Sequence, residues 1–143
     1  MHALKIKSAM FLCALFASWP LLASDPELYG VWEPIEYVVD GTVTPLRGAM
    51  IVTPGYLVAN AIYDGDGDGV LEANATSGPI TVANNTITYM QWVQLHYRPS
   101  GEGNELHENV EYDINYTIED DRLIFHFPSG NRYISKRLAG LEE

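Results

Sequence analysis

The stretch Leu106–Ile118 (LHENVEYDINYTI) indicates the fold class, because apolar and polar residues alternate along most of it. An alternation of period two is typical of a β-strand that has one face on a core and the other in solvent. The apolar face carries Leu106, Val110, Tyr112, Ile114, Tyr116 and Ile118, and the polar face carries His107, Asn109, Glu111, Asp113, Asn115 and Thr117. Glu108 falls on the apolar face, so we expect it either near a strand end or with its carboxylate in a cavity.

Short runs of β-branched and aromatic residues recur along the rest of the chain, and turn-forming pairs such as Asp40-Gly41 and Pro54-Gly55 separate them. No segment shows a convincing helical periodicity. We expect strands over residues 29–39, 49–53, 56–63, 80–83, 86–97, 106–118, 123–127 and 132–138. About eight antiparallel strands joined mostly by short turns predict an all-β fold, either an up-and-down β-barrel or a sandwich.

Residues 1–23 have the pattern of a secretory signal peptide, in which Lys5 and Lys7 precede an apolar run. The run is too short and wrongly flanked for a membrane-spanning helix, and no later segment approaches about 20 apolar residues. We therefore expect a single domain over residues 24–143 that is secreted and has no membrane span.

The charge balance of the expected domain excludes some classes of partner. Two of the 8 Lys and Arg residues lie in the signal peptide, so the 19 acidic residues far outnumber the basic residues that remain in the expected domain. Such a field repels nucleic acid phosphates and anionic lipids, so neither is an expected partner. The single cysteine, Cys13, leaves with the signal peptide, and the secreted domain must be held together without a disulfide.

The acidic loop Asp64–Gly69 (DGDGDG) has the ligand spacing of a calcium-binding loop. Calcium prefers oxygen ligands, and carboxylates at alternate positions followed by glycine let the chain wrap around one ion. The expected ligands are Asp64, Asp66, Asp68, the carbonyl of Val70 and Glu72. The EF-hand pattern then fails, because Ala75 takes the place of its last glutamate. The loop is either a calcium site outside that fold or a solvated acidic turn, and repulsion among the three aspartates favours calcium.

Several short motifs follow one another in the order found in a known family. They are LYGVW at 28–32, DG at 40–41, GAMIVTPGY at 48–56, DRL at 121–123 and an arginine, Arg137, near the end of the last strand. In this order the chain resembles the small bacterial lipocalin-like domains, a resemblance that covers nearly all of the expected domain. Residues 64–78 look like an insertion relative to that family. The resemblance implies a lipocalin-like barrel and, through its bacterial members, a periplasmic location.

The resemblance also implies structural roles for three residues. In lipocalins the G-x-W glycine lets two backbones approach closely, and the tryptophan closes one end of the barrel. An arginine on the last strand lies over that indole, in a cation–π contact worth about 0.5–2 kcal/mol. Here the matching residues are Gly30, Trp32 and Arg137.

The barrel that the resemblance implies is expected to hold a small, largely apolar molecule. Aromatic and polar residues are interleaved on the expected strands, as in a cavity with a few polar anchors. The expected ligand-binding residues are Tyr89, Gln91, Trp92, His96, Tyr112, Tyr116, Phe125 and Phe127, with Glu108 as a further polar anchor.

Two other functions stay open at this stage. Small lipocalin-like barrels include cyclases and isomerases, and Glu108, His96 and Glu36 are the candidate acid or base groups because a barrel interior can raise the pKa of a carboxylate. The second alternative is a protein-interaction module ordered by calcium. Motifs for a serine or cysteine nucleophile, or for a phosphate loop, are missing from the expected domain.

Overall fold

The computed structural model describes residues 25–102 and 104–140, and the expected signal peptide lies outside this part of the chain. A turn of 3₁₀ helix at Pro26–Leu28 precedes nine strands. The strands are β1 Gly30–Val39, β2 Thr42–Pro45, β3 Arg47–Thr53, β4 Tyr56–Tyr63, β5 Glu72–Ala83, β6 Thr86–Tyr97, β7 Glu105–Glu119, β8 Arg122–His126 and β9 Arg132–Gly140. Within the described ranges, no helix has the length and apolar character needed to cross a membrane.

The strands form an antiparallel barrel. Each of β3 to β8 pairs with the next strand along the chain, and β1 pairs with both β3 and β9, which closes the sheet. The expected all-β, up-and-down barrel of eight strands is therefore confirmed, with β2 as one extra strand. Closure gives β1 and β3 to β9 a partner along both edges, and among the described strands only the short β2 keeps an unpaired edge.

Strands β2 and β3 lie along the same edge of β1, one after the other. Gly30 to Trp32 of β1 pair with β3, whereas Glu36 to Val39 pair with β2. Leu46 separates the two strands, and its amide donates to the carbonyl oxygen of Ile35 at 2.9 Å. The chain from β2 to β3 thus follows one edge of β1, with an interruption of the strand at Leu46.

The core lies at the end of the barrel where the chain enters it, which we name the Trp32 end. Trp32 and Leu28 are fully buried there, and the Trp32 indole Nε1 donates to the carbonyl oxygen of Leu28 at 3.0 Å. The Tyr116 hydroxyl donates to Oδ2 of Asp25 at 2.7 Å and so fastens the 3₁₀ turn to β7. The opposite end, where β4 ends and β5 begins, is the loop end.

Two expected strands differ from the observed ones. Strand β5 begins at Glu72 and not at residue 80, so residues 72–78 of the expected insertion belong to the barrel wall. Its first eight residues, EANATSGP, are poor strand formers except for Thr76, which hid this part of the strand from a propensity argument. The alternation on β7 holds from Tyr112 to Ile118 but is wrong at Leu106 and Val110, which are 60% and 42% exposed.

The barrel wall depends on a close approach between β5 and β6. The pairing of these strands shifts register between Ser77 and Ile80. A β-carbon at Gly78 would overlap the backbone oxygen of Met90, so only glycine fits there. Residues three apart on a regular strand lie on opposite faces, yet Gln91 and Gln94 both line the barrel interior. Leu95 and Leu106, beyond the irregularity, are exposed.

Candidate functional site

A cavity of about 240 Å³ lies inside the barrel. Aliphatic and aromatic side chains supply most of its wall, and they come from β1, β3, β4 and β6 to β9. The polar groups are amides, phenols and one threonine hydroxyl, and none of the described residues that line the cavity carries a formal charge at neutral pH. A mostly apolar pocket with a few convergent polar groups is the usual form of a small-molecule site.

Four of the lining side chains form a hydrogen-bonded group that we name the polar node: Thr76, Tyr89, Gln91 and Tyr112. Gln91 Nε2 donates to Thr76 Oγ1 at 3.0 Å and lies 3.4 Å from the Tyr112 hydroxyl. Thr76 Oγ1 is 2.5 Å from the Tyr89 hydroxyl, and the rings of Tyr89 and Tyr112 pack edge to face at 5.5 Å. Gln91 is 3% exposed and Tyr89 1% exposed, whereas Thr76 and Tyr112 are half-buried.

Burial also keeps the phenols of the polar node protonated. Loss of hydration raises the pKa of Tyr112 well above its usual range, with the neighbouring Tyr89 as a smaller cause. Desolvation raises the pKa of Tyr89 as well, which the hydrogen bond to Thr76 partly offsets. Both hydroxyls therefore remain hydrogen-bond donors throughout the neutral pH range.

The sequence-predicted ligand residues divide into two groups. Tyr89, Gln91, Tyr112, Phe125 and Phe127 line the cavity. The other three do not line it: Trp92 is half exposed and packs its ring against Tyr56 at 5.5 Å, Tyr116 lies in the core at the Trp32 end, and His96 lies at the loop end.

The structure does not bring the three candidate acid or base residues together. Glu108 is exposed on β7, and Glu36 is half-buried on β1 opposite Pro45 and Ile134. Neither carboxylate makes a hydrogen bond or ion pair within the described part of the chain. Of the three, only His96 has charged neighbours in contact.

His96 belongs to a cluster at the loop end that we name the rim cluster: Tyr63, Glu72, His96 and Arg98. His96 Nε2 is 2.8 Å from Glu72 Oε2 and 3.1 Å from the Tyr63 hydroxyl, and Arg98 Nε donates to the same Glu72 oxygen at 3.1 Å. A carboxylate accepts hydrogen bonds, so His96 carries its hydrogen on Nε2. Glu72 is 5% exposed, and Tyr63 also lines the cavity, so the rim cluster adjoins the cavity.

The acidic loop folds back on its own first aspartate. The two oxygens of Asp64 accept from the amides of Gly67 at 2.8 Å and Gly69 at 3.0 Å, and Asp68 accepts from the amide of Val70. One carboxylate oxygen from each of Asp64, Asp66 and Asp68 lies within 4.8 Å of the others. Two oxygens bound to one calcium at about 2.4 Å are at most about 4.8 Å apart, so this spacing fits one ion.

Glu72 is not part of the group of three aspartates. Its Oε2 is already in contact with His96 and Arg98, and the other end of the carboxylate packs against Gly65. The aspartates themselves are half-buried in one case and exposed in two. The loop therefore brings three carboxylates together, and the carboxylate of Glu72 belongs to the rim cluster.

Sequence reasoning missed several residues of the site. Thr76 and Asn74 line the cavity from the half of β5 that was not recognised as a strand, and Ala59 and Ala61 line it from β4. The period-two placement of Leu57, Ala59 and Ala61 on β4 is the signal that could have found the alanines. Thr76 can be placed in the cavity wall only when the pairing of β5 with β4 is known.

Comparison with known proteins found no matching family model, curated protein or solved structure.

Proposed function

We propose that this chain is a lipocalin-like binding protein that holds a small, largely apolar molecule inside its barrel, and that it acts in an extracytoplasmic compartment. The observation that carries the proposal is the 240 Å³ cavity with its mostly apolar wall and its polar node. Pockets of drug-sized ligands span about 300–1,000 Å³, so the occupant is smaller than those molecules.

The arrangement of Trp32 and Arg137 supports membership in the lipocalin-like group. The guanidinium carbon of Arg137 lies over the Trp32 ring, at the end of the barrel away from the loops that border the cavity. The signal-peptide pattern of residues 1–23 supports export.

A cavity-filling substitution tests the proposal. Ala61 lines the cavity from β4 and is 4% exposed, so Ala61→Phe places a ring in the space that the ligand would take. The control is Ala75→Phe, which adds the same ring at an exposed position of the neighbouring strand. Ala61→Leu is a smaller filling change for use if the phenylalanine variant does not fold.

Native mass spectrometry of each protein, gently purified and then mixed with 2-isopropenylnaphthalene, gives the readout. We expect the wild type and Ala75→Phe to carry an organic adduct, either a co-purified compound or the added hydrocarbon, and the Ala61 variants to carry none. A folded Ala61 variant that carries the same adduct as the wild type would contradict the proposal.

A second candidate function rests on the rim cluster. A buried carboxylate that orients an imidazole next to a cavity-lining tyrosine is an arrangement suited to proton transfer, and an isomerase or cyclase needs such a group. If the protein is such an enzyme, His96→Gln retains the bound compound but no longer alters it. Chromatography of the compound before and after incubation with each protein distinguishes the two functions, because isomers differ in retention although their masses are equal.

A further inference from the structure

The polar node holds more hydrogen-bond donors than its own members can use. Its polar hydrogens are the pair on the Gln91 amide and one on each hydroxyl of Thr76, Tyr89 and Tyr112. The contacts among the four side chains are Gln91 to Thr76, Gln91 to Tyr112 and Thr76 to Tyr89, and each contact takes one hydrogen. Two polar hydrogens are left over.

This surplus does not depend on which way the Gln91 amide is turned. If the oxygen and nitrogen of the amide exchange places, Gln91 accepts from Thr76 and Tyr112, and its own amide hydrogens become the unused pair. The three contacts use three hydrogens in both orientations. No other acceptor among the described residues makes a hydrogen bond with the node.

The surplus hydrogens belong to side chains that line the cavity. A buried donor without an acceptor is destabilising by about 1–3 kcal/mol, so an acceptor in the cavity gains that energy when it arrives. Water can serve as acceptor when no ligand is bound, and a ligand oxygen replaces it.

We propose that the cavity selects a neutral molecule that carries a carbonyl oxygen, and that this oxygen accepts hydrogen bonds from the polar node while the rest of the molecule packs on the apolar wall. A carbonyl oxygen has two lone pairs, which match the two surplus hydrogens. This inference rests on the proposed function and specifies its ligand class.

The charges around the cavity oppose an anionic ligand such as a carboxylate. The described residues of the cavity wall include no Lys, Arg or His, and Arg98 at the loop end is paired with Glu72. The chain carries a formal net charge of −11, so the overall field also repels anions. Burial of an uncompensated carboxylate is far more costly than burial of a carbonyl group.

Three probes of the same shape separate these chemistries: 2-acetylnaphthalene, 2-isopropenylnaphthalene and 2-naphthoate. The ketone has the acceptor oxygen, the isopropenyl compound replaces that oxygen by a methylene group, and the naphthoate is an anion. Their dissociation constants with the wild type are measured by displacement or by native mass spectrometry. We expect the ketone to bind about tenfold more tightly than the isopropenyl compound and more tightly than the naphthoate.

Variants that each remove one polar group assign the effect to the polar node. Tyr112→Phe and Gln91→Leu are expected to weaken ketone binding severalfold and to leave binding of the isopropenyl compound unchanged. Tyr56→Phe is the matched control, because Tyr56 lies outside the cavity wall and its hydroxyl makes no hydrogen bond within the described residues. That variant is expected to keep the preference for the ketone.

Each outcome bears on a different proposal. Equal binding of the ketone and the isopropenyl compound to the wild type would overturn the carbonyl inference and leave the binding function standing. Tightest binding of the naphthoate would overturn the requirement for a neutral ligand. Failure of all three probes to bind the wild type would overturn both the inference and the proposed function.

Discussion

The guanidinium carbon of Arg137 lies 4.1 Å from the centroid of the Trp32 ring. Arg137 also donates to the carbonyl oxygen of Glu27, and its backbone amide donates to the carbonyl oxygen of Asp121 at 2.8 Å. The side chain therefore joins the last strand to the first strand and to the 3₁₀ turn, at the point where the barrel closes.

Replacing Arg137 is expected to destabilise the barrel. Arg137→Met keeps much of the apolar stem but removes the cation–π contact and the hydrogen bond to Glu27, so we expect a loss of about 1–2 kcal/mol in the free energy of unfolding. Denaturant titration measures it. Lys136→Met on the same strand is exposed and serves as the control. Equal stabilities of the two variants would show that the contact contributes nothing.

Gly78→Ala is expected to lower the stability of the protein more than an ordinary glycine substitution does. The added methyl group overlaps the backbone oxygen of Met90, so β5 and β6 must separate, with a loss of about 1–3 kcal/mol or more. Gly55→Ala is the matched control, because no atom lies within 4 Å of the added methyl group there. Thermal unfolding of both variants provides the comparison, and a Gly78 variant as stable as the Gly55 variant would refute the close approach.

The rim cluster is expected to show a measurable coupling between Glu72 and His96. A double-mutant cycle with Glu72→Gln and His96→Gln should give a coupling energy of about 0.5–3 kcal/mol, because the carboxylate is buried. The chain contains a matched exposed pair, Glu105 and His107, whose Nε2 to Oε2 distance is 3.0 Å. Solvent screens that pair, so its cycle should give a much smaller coupling. Equal couplings would mean that burial of Glu72 has no energetic effect.

The protein is expected to lose stability at alkaline pH through its buried tyrosines. Burial raises the pKa of Tyr112, Tyr116 and Tyr133, and a hydrogen bond to Asp25 adds to the rise for Tyr116. A group whose pKa is higher in the folded than in the unfolded chain holds its proton more tightly when folded. Its contribution to the free energy of unfolding is complete below the pKa of about 10 that tyrosine has in the unfolded chain. This contribution is lost as the pH rises above that value toward the pKa in the folded chain.

Tyr133→Phe tests this dependence with little other disturbance. Its hydroxyl makes no hydrogen bond within the described part of the chain, so the variant should match the wild type near neutral pH. Above pH 10 the decrease in unfolding free energy per pH unit should be smaller by up to about 1.4 kcal/mol, which is the value for one proton. Denaturant titrations at several alkaline pH values measure the slope. An unchanged slope would contradict the assigned cause.

The calcium site in the acidic loop remains a prediction, and Asp66 provides the cleanest test of it. Asp66 makes no hydrogen bond within the described loop, whereas Asp64 and Asp68 both accept from backbone amides. Asp66→Asn therefore weakens a calcium site without unfolding the loop. We expect calcium to raise the thermal unfolding midpoint of the wild type, with a dissociation constant on the order of 10⁻⁴–10⁻³ M.

Glu102→Gln is the control for the calcium experiment, because it removes one charge from another exposed loop. The stabilisation by calcium should be reduced in Asp66→Asn and retained in Glu102→Gln. If calcium has no effect on the wild type, or affects both variants equally, the loop is a solvated acidic turn.

The sequence by itself determined the class of fold, because side-chain alternation and turn residues are local properties. Most strands could be predicted, and so could five of the residues that line the cavity, since Tyr89 to Gln91 on β6 and Tyr112 on β7 keep the regular two-residue period. The first half of β5 could not be predicted. It is a strand because both of its neighbours supply hydrogen bonds to it, and the intrinsic preference of its residues does not reveal this.

Only the tertiary structure decided which side chains meet. Gln94 lines the cavity although it is three residues from Gln91, because the strand pairing shifts near Gly78, a change that no periodic pattern on β6 records. Glu72 follows the aspartates at a spacing suited to calcium, yet the pairing of β5 with β6 places it beside His96 and Arg98. Register and barrel closure are properties of several strands together, so the polar node and the rim cluster follow from them and not from any single stretch of the chain.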